Sequence, residues 1–246
     1  MKLNTDGIIL RDYSLEDNRI LTILTKKHGL ITAFANGAKR TRSRLAGSTE
    51  MLCYSDFILF KHRDRYSVDS ADLIRNFFGL RADIIALSLA AYFAELSMEL
   101  ATQTDDAESY LKLMLNTLHF LEKGEKDYAQ LKALFELRML TFSGYMPDIV
   151  ACRECSAFST DSVVFFPQHG DFLCLDCSQH HSHSGGIGIS AGILAAMRHI
   201  IYCEPAKLFS FSLSEENMRG LGILCEQYLK YQLERTFNTL EFYHSL

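Results

Sequence analysis

The chain has 246 residues, 48% of them hydrophobic, 22% charged, and a formal net charge of −5. That composition suits one large domain or two to three small ones with a packed core, and it excludes a disordered or low-complexity chain. No apolar run reaches the roughly eighteen residues needed to span a bilayer. Met1–Asp6 lacks the apolar stretch of a secretory leader, so the expected setting is cytoplasmic.

The net charge conceals a split. Residues 1–81 hold 14 Lys+Arg and 9 Asp+Glu, a net of +5, and residues 82–246 a net of −10. Such asymmetry points to an anionic partner for the first part.

Residues 3–12, around Gly7-Ile-Ile-Leu10, read as a strand. Arg19–Thr25 and Leu30–Ala35 read as a hairpin turning on Lys26-Lys-His-Gly29. Met51–Phe60 and Tyr66–Asp72 give two more strands, joined by Lys61-His-Arg-Asp-Arg65. Five strands in about seventy residues suggest a small barrel, and an oligonucleotide/oligosaccharide-binding (OB) barrel is the natural candidate.

The third and fourth strands are joined by Asn36-Gly-Ala-Lys-Arg-Thr-Arg-Ser-Arg44, with Leu-Ala-Gly47 after it. Lys39, Arg40, Arg42 and Arg44 put four positive charges in six residues, and flanking glycines mark a mobile loop. Runs of this kind suit phosphate backbones. An isolated run would more often be a solvated loop, but here Lys26, Lys27, Lys61, Arg63 and Arg65 fall on other turns of the same barrel. These nine cations are the candidate nucleic-acid-binding residues. Phe34, Tyr54, Phe57, Phe60 and Tyr66 lie on the strands between them. Some must be core, and those facing outward can stack on bases.

From Leu80 the pattern turns helical: Asp83–Thr102, Ala107–Lys123 and Asp127–Phe142. Leu111, Leu115, Leu118 and Leu121, then Leu131, Leu134, Phe135 and Leu137, recur at core spacing. Gly124 and Gly144-Tyr-Met-Pro147 end the second and third helices. Ser190 caps a further helix through Cys203, and Ser214-Glu-Glu opens a last one to about Leu233 or beyond. The tail Tyr228–Tyr243 reads as an amphipathic packing helix.

Between these helices stand Cys152-Arg-Glu-Cys155 and, after eighteen residues, Cys174-Leu-Asp-Cys177. Two such knuckles are a metal signature. Val163–Phe166 and Phe172-Leu173 can form two strands turning on Pro167-Gln-His-Gly170, the layout of a zinc ribbon. Four sulfurs close a tetrahedral Zn2+ site with no position for water, which makes one structural ion. Four buried or disulfide-bonded cysteines are the alternative, as is replacement of one sulfur by His169, His180, His181 or His183. Cys53, Cys203 and Cys225 read as small core residues.

Signatures of catalysis are missing. There is no Gly-x-x-x-x-Gly-Lys-[Ser/Thr], no His-Glu-x-x-His and no His-x-Glu of a zinc deaminase. Gly186-Ile-Gly188-Ile-Ser-Ala-Gly192 has one residue too many for a dinucleotide fingerprint and follows no clear strand. No catalytic residue is expected, and the chain does not read as an enzyme.

Gly7-Ile-Ile-Leu-Arg-Asp-Tyr13, Glu16-Asp-Asn-Arg-Ile-Leu-Thr22, His28-Gly-Leu30, Gly37-Ala-Lys-Arg40 and Ser43-Arg-Leu-Ala-Gly47 together resemble the bacterial DNA repair protein RecO family. Phe135-Glu-Leu-Arg138, Gly144-Tyr-Met-Pro-Asp148, the four-cysteine ribbon and Glu234-Arg-Thr-Phe-Asn-Thr-Leu240 extend the resemblance over nearly the whole chain. It implies an α+β, multidomain fold: an N-terminal five-stranded OB-type barrel (1–80), an α-helical domain (81–147 and 187–246) and an inserted four-cysteine zinc-ribbon module (148–186). It also implies a nucleoid-associated recombination mediator. Such a protein binds single- and double-stranded DNA without sequence preference, anneals complementary strands without ATP and helps load recombinase onto DNA coated by the single-stranded DNA-binding protein SSB. The implied partners are RecR, the acidic, apolar C-terminal tail of SSB, and RecF within the pathway. The alternative is an adaptor whose helical domain and ribbon dock partners while the basic barrel binds an acidic protein or RNA. A metal-dependent hydrolase ranks below both, for lack of an open metal site.

Overall fold

The computed structural model describes residues 1–63, 65–101, 106–158, 161–180 and 185–246. Two compact units emerge, one formed by Met1–Lys126 with Phe237–Leu246, the other by Asp127–Thr236. Among the described residues, no helix is long and apolar enough to cross a membrane.

In the first unit, strands β1 (Lys2–Leu15), β2 (Asn18–Thr25), β3 (Gly29–Ala35), β4 (Tyr54–His62) and β5 (Arg65–Arg75) close into a barrel in the order β1-β2-β3-β5-β4. All pairings are antiparallel except β3 with β5, which is parallel and rests on Ala33↔Tyr66 and Phe34↔Ser67. This is the OB-type barrel that the strand spacing suggests. Alternation fills its interior: Leu21 and Ile23 of β2, Ala33 and Ala35 of β3, Phe57 and Leu59 of β4, and Val68 and Ala71 of β5 share one core with Cys53.

Ile8, Ile9 and Leu10 break the alternation, and all three are buried. The strand is covered on its outer side too, by α1 (Ile84–Leu100) and α2 (Ala107–Lys123). Gly7 lies where β1 and β2 press closest; a Cβ there would meet Ile23 Cγ2 at 2.8 Å and the Leu24 carbonyl oxygen at 2.9 Å. Asp83 caps α1 by accepting from the amides of Ile85 and Ala86, and Gly124 ends α2 in the left-handed region. The last helix, α7 (Asn238–His244), returns to this unit and packs on α1. Glu95 accepts from the Thr239 amide at 3.2 Å and from its hydroxyl, and Phe237 sets its ring edge against Tyr92.

The second unit is built around α3 (Tyr128–Phe142). Every residue from Gln130 to Met139 is buried, so α3 is a central helix and not one with a single apolar face. Its polar side chains are answered inside the unit. Lys132 donates to Glu136 and to Glu226 of α6 (Glu215–Leu233), both at 2.8 Å. Arg138 donates to the Ile200 and Ile201 carbonyls at the end of α5 (Ala191–Tyr202). Glu234, in the left-handed region, stops α6 at Leu233, so α6 and α7 are separate helices.

The ribbon strands β6 (Ser162–Phe166) and β7 (Asp171–Cys174) form the expected hairpin, and a short helix α4 (Leu175–Gln179) follows. Beyond the expected pair, β8 (Ile187–Ser190) adds a third strand in the order β7-β6-β8. Of the glycines that mimic a dinucleotide fingerprint, Gly186 has a packing role and Gly188 faces open space. A Cβ on Gly186 would lie 2.5 Å from Val164 Cγ1, and Ser190 caps α5 by accepting from the Ile193 amide.

Candidate nucleic-acid interface and metal centre

The register sorts the barrel aromatics. Phe57 is fully buried in the core, and the Tyr54 hydroxyl donates to the Asp6 carboxylate. Phe34 points outward because its neighbours Ala33 and Ala35 point in. Across the strands the outward partners follow one line: Phe60↔Ser67, Ser67↔Phe34, Phe34↔Ile20 and Ile20↔Tyr13. A row of outward side chains therefore crosses all five strands. Tyr13 is 61% exposed, Phe34 36% and Phe60 43%.

The basic loop borders one end of this row. Lys39 Nζ donates to Ser14 Oγ at 3.1 Å, beside Tyr13, and Arg40 Nε pairs with Asp17 at 3.3 Å. Arg42 and Arg44 are exposed. The loop is anchored where its glycines suggest freedom. Asn18 Oδ1 accepts from the Gly37 amide, and the Asp17 carbonyl accepts from the Lys39 amide. Arg19, almost fully buried, donates through one nitrogen to the Ala46 carbonyl at 2.8 Å and to Thr49 Oγ1 at 2.9 Å. The strand pattern alone gives Arg19 no special role. A charged residue opening an apolar strand is the available signal.

The β4–β5 turn borders the row elsewhere. Lys61, Arg63 and Arg65 are exposed, and Lys61 lies over the Tyr66 ring at 5.4 Å. A cavity of about 500 Å³ opens at the β3–β5 seam, lined by Ile20, Thr32, Phe34, His62, Arg65 and Tyr66, among others. Lys26 and Lys27 are not part of this grouping. They follow β2 at the far end of the β2–β3 hairpin, six and seven residues beyond Ile20 of the row, roughly 20 Å away at about 3.3 Å per residue. There Lys26 pairs with Glu108 of α2 at 3.5 Å.

Another barrel face carries the opposite charge. Asp6, Asp56 and Asp72 stand directly opposite one another on β1, β4 and β5. Three neighbouring carboxylates make that face repel phosphate.

In the second unit the thiol sulfurs of Cys152, Cys155, Cys174 and Cys177 all lie within 4.8 Å of one another, and none is in a disulfide. Cys155 Sγ and Cys174 Sγ are 3.7 Å apart. A tetrahedral ion bonded to sulfur at about 2.3 Å holds its ligands roughly 3.8 Å apart, so the spacing fits. The Cys174 amide donates to Cys152 Sγ at 3.3 Å. Burial would push the Cys152 thiol up, but the amides of Cys155, Cys174 and Glu154 outweigh it and draw it down to about 6. Among the described residues no histidine joins the cluster. His169 and His180 are exposed, and His181 and His183 lie outside the described residues. The four sulfurs could hold a metal ion, and an all-thiolate set suits soft or borderline ions, Zn2+ among them. Of the remaining cysteines, Cys53 and Cys225 are buried and Cys203 is half-buried.

Comparison with known proteins fits this architecture. Residues 1–77 match the family model described as recombination protein O N terminal, and residues 81–241 match recombination protein O C terminal. The DNA repair protein RecO of Acetivibrio thermocellus is 35% identical over 99% of this chain and 97% of its own length. The protein of the same name from Alkaliphilus metalliredigens is 31% identical over 98% of each chain. That from Rubrobacter xylanophilus is 32% identical over 87% of this chain and 86% of its own. The chain belongs to the RecO family of DNA repair proteins.

Proposed function

We propose that this RecO-family chain is a recombination mediator that binds DNA on the aromatic row of its barrel and anneals complementary strands without ATP. The observation that supports this most is the basic loop lying beside an outward row of aromatic side chains. Cations at the rims neutralise phosphates whatever the sequence, and aromatic faces accept any base. Annealing needs two polyanions to approach each other. A cationic rim lowers that repulsion, and no nucleotide hydrolysis is required.

In this reading Lys39, Arg40, Arg42, Arg44, Lys61, Arg63 and Arg65 contact phosphates at the row. Lys26 and Lys27 meet only DNA that continues past the hairpin's far end. Residues 1–80 form the nucleic-acid-binding domain, and residues 148–186 form a module stapled by one structural Zn2+ on Cys152, Cys155, Cys174 and Cys177. RecR, the SSB C-terminal tail and RecF-pathway proteins are the partners, and no side chain performs a chemical step.

The test is fluorescence anisotropy of labelled single- and double-stranded oligonucleotides against salt. The expected result is sequence-independent binding that weakens steeply as salt rises. No binding at low salt would refute the reading and favour the adaptor, whose basic barrel takes an acidic protein.

A further inference from the structure

The parallel seam between β3 and β5 has only two register pairs, Ala33↔Tyr66 and Phe34↔Ser67, against seven between β2 and β3. So short a seam lets the wall part, and the cavity of about 500 Å³ lies there. Its volume falls within the range of clefts that bind small organic groups, about 300–1,000 Å³. Its walls are apolar and aromatic where they meet the row: Ile20, Phe34 and the half-buried Tyr66. Thr32 adds a hydroxyl, and His62 and Arg65 stand at the same opening from the β4–β5 turn. A flat apolar group enters such a slot while its attached anion stays with Arg65. A nucleotide has that shape and charge only when its base is unstacked and unpaired.

We infer that the seam cavity is a base-binding subsite that takes one unpaired nucleobase, with Phe34 as its stacking wall and Arg65 on the adjoining phosphate. The inference rests on the proposed DNA-binding reading and narrows it. The rim cations hold any phosphate backbone, and the seam separates single strands from duplexes. Base pairing buries both base faces in the stack, so duplex DNA uses the rims alone.

The experiment measures affinity of the full chain for three labelled probes at one salt concentration: an oligothymidylate, an abasic oligomer of equal length, and a duplex. One base stacked on an aromatic side chain corresponds to roughly a five- to hundredfold gain. The oligothymidylate should bind tighter than the abasic oligomer by a factor in that range. Phe34→Ala should shrink the difference by at least roughly fivefold while leaving abasic and duplex affinities nearly unchanged, and Phe34→Trp should preserve it. Phe34 is outward-facing, so neither variant disturbs the core. Equal binding of oligothymidylate and abasic oligomer by the unaltered protein would overturn the subsite but leave the DNA-binding reading standing. So would a Phe34→Ala loss shared equally by all three probes. Binding of none of the probes would overturn both.

Discussion

Replacing Arg19 with methionine keeps an unbranched apolar stem but removes the guanidinium fork. Two hydrogen bonds are lost, to the Ala46 carbonyl and to Thr49 Oγ1, along with looser pairings at 3.6 Å to Asp12 and Glu50. Bonds from a charged donor contribute about 1.5–3 kcal/mol each. The two carboxylates remain partly exposed, so their pairings add less than about 1 kcal/mol. Because one nitrogen makes both bonds, the expected cost is the lower end of that sum, about 3 kcal/mol. Because Arg19 is the buried anchor of the connection that carries the basic run, amides of residues 37–49 should exchange faster than in the unaltered protein. Urea unfolding followed by far-ultraviolet circular dichroism reads the first effect. At a slope near 3 kcal/mol per molar, the midpoint should fall by about 1 M. Hydrogen exchange reads the second. Arg19→Lys keeps the charge without the fork and should fall between the two. An unchanged midpoint with unchanged exchange in residues 37–49 would refute the anchoring role.

Converting Lys39, Arg40, Arg42 and Arg44 together to alanine should lower the log–log salt slope for single-stranded DNA by about 3, at about 0.7 per phosphate. The melting temperature should stay unchanged, since these side chains are exposed; an unaltered slope would remove the loop from the interface. Lys132→Met takes the close cation away from the buried Glu136, while Glu226 keeps Lys230 at 2.8 Å. It should destabilise the protein by about 3–5 kcal/mol, measured by urea unfolding. Metal analysis of the purified chain should give one Zn2+ per protein. Strong chelation should then lower thermal stability, because the ion's binding energy is folding energy; full stability in metal-free protein would contradict a structural site.

Much of the barrel was legible because half-buried strands alternate and their turns carry glycine and charge. The direction of Phe34 was also within reach, since Ala-Phe-Ala in a strand packed against bulkier neighbours places the small residues inside. The seam cavity was not, because it depends on β3 and β5 meeting at only two register pairs, and no local pattern encodes that. Strand β8 escaped notice because Ile187-Gly-Ile-Ser190 is short and half of its signal is a glycine; pairing with β6 makes it a strand. In α3 the leucine spacing suggested one buried stripe. Yet Lys132, Glu136 and Arg138 are buried too, since α5 and α6 supply their partners. The cysteine knuckles were the clearest feature, because two thiolates three residues apart can point at one ion without help from distant sequence.

The proposed action is that of a cationic, aromatic barrel face bringing two strands together without fuel. Its most direct test is the rate at which two complementary labelled oligonucleotides pair, with and without the full chain, in buffer lacking ATP and across a salt series. The chain should accelerate pairing, and the acceleration should fade as salt rises and be lost when Lys39, Arg40, Arg42 and Arg44 are alanine. Absence of acceleration at low salt, with both strands demonstrably bound, would contradict it.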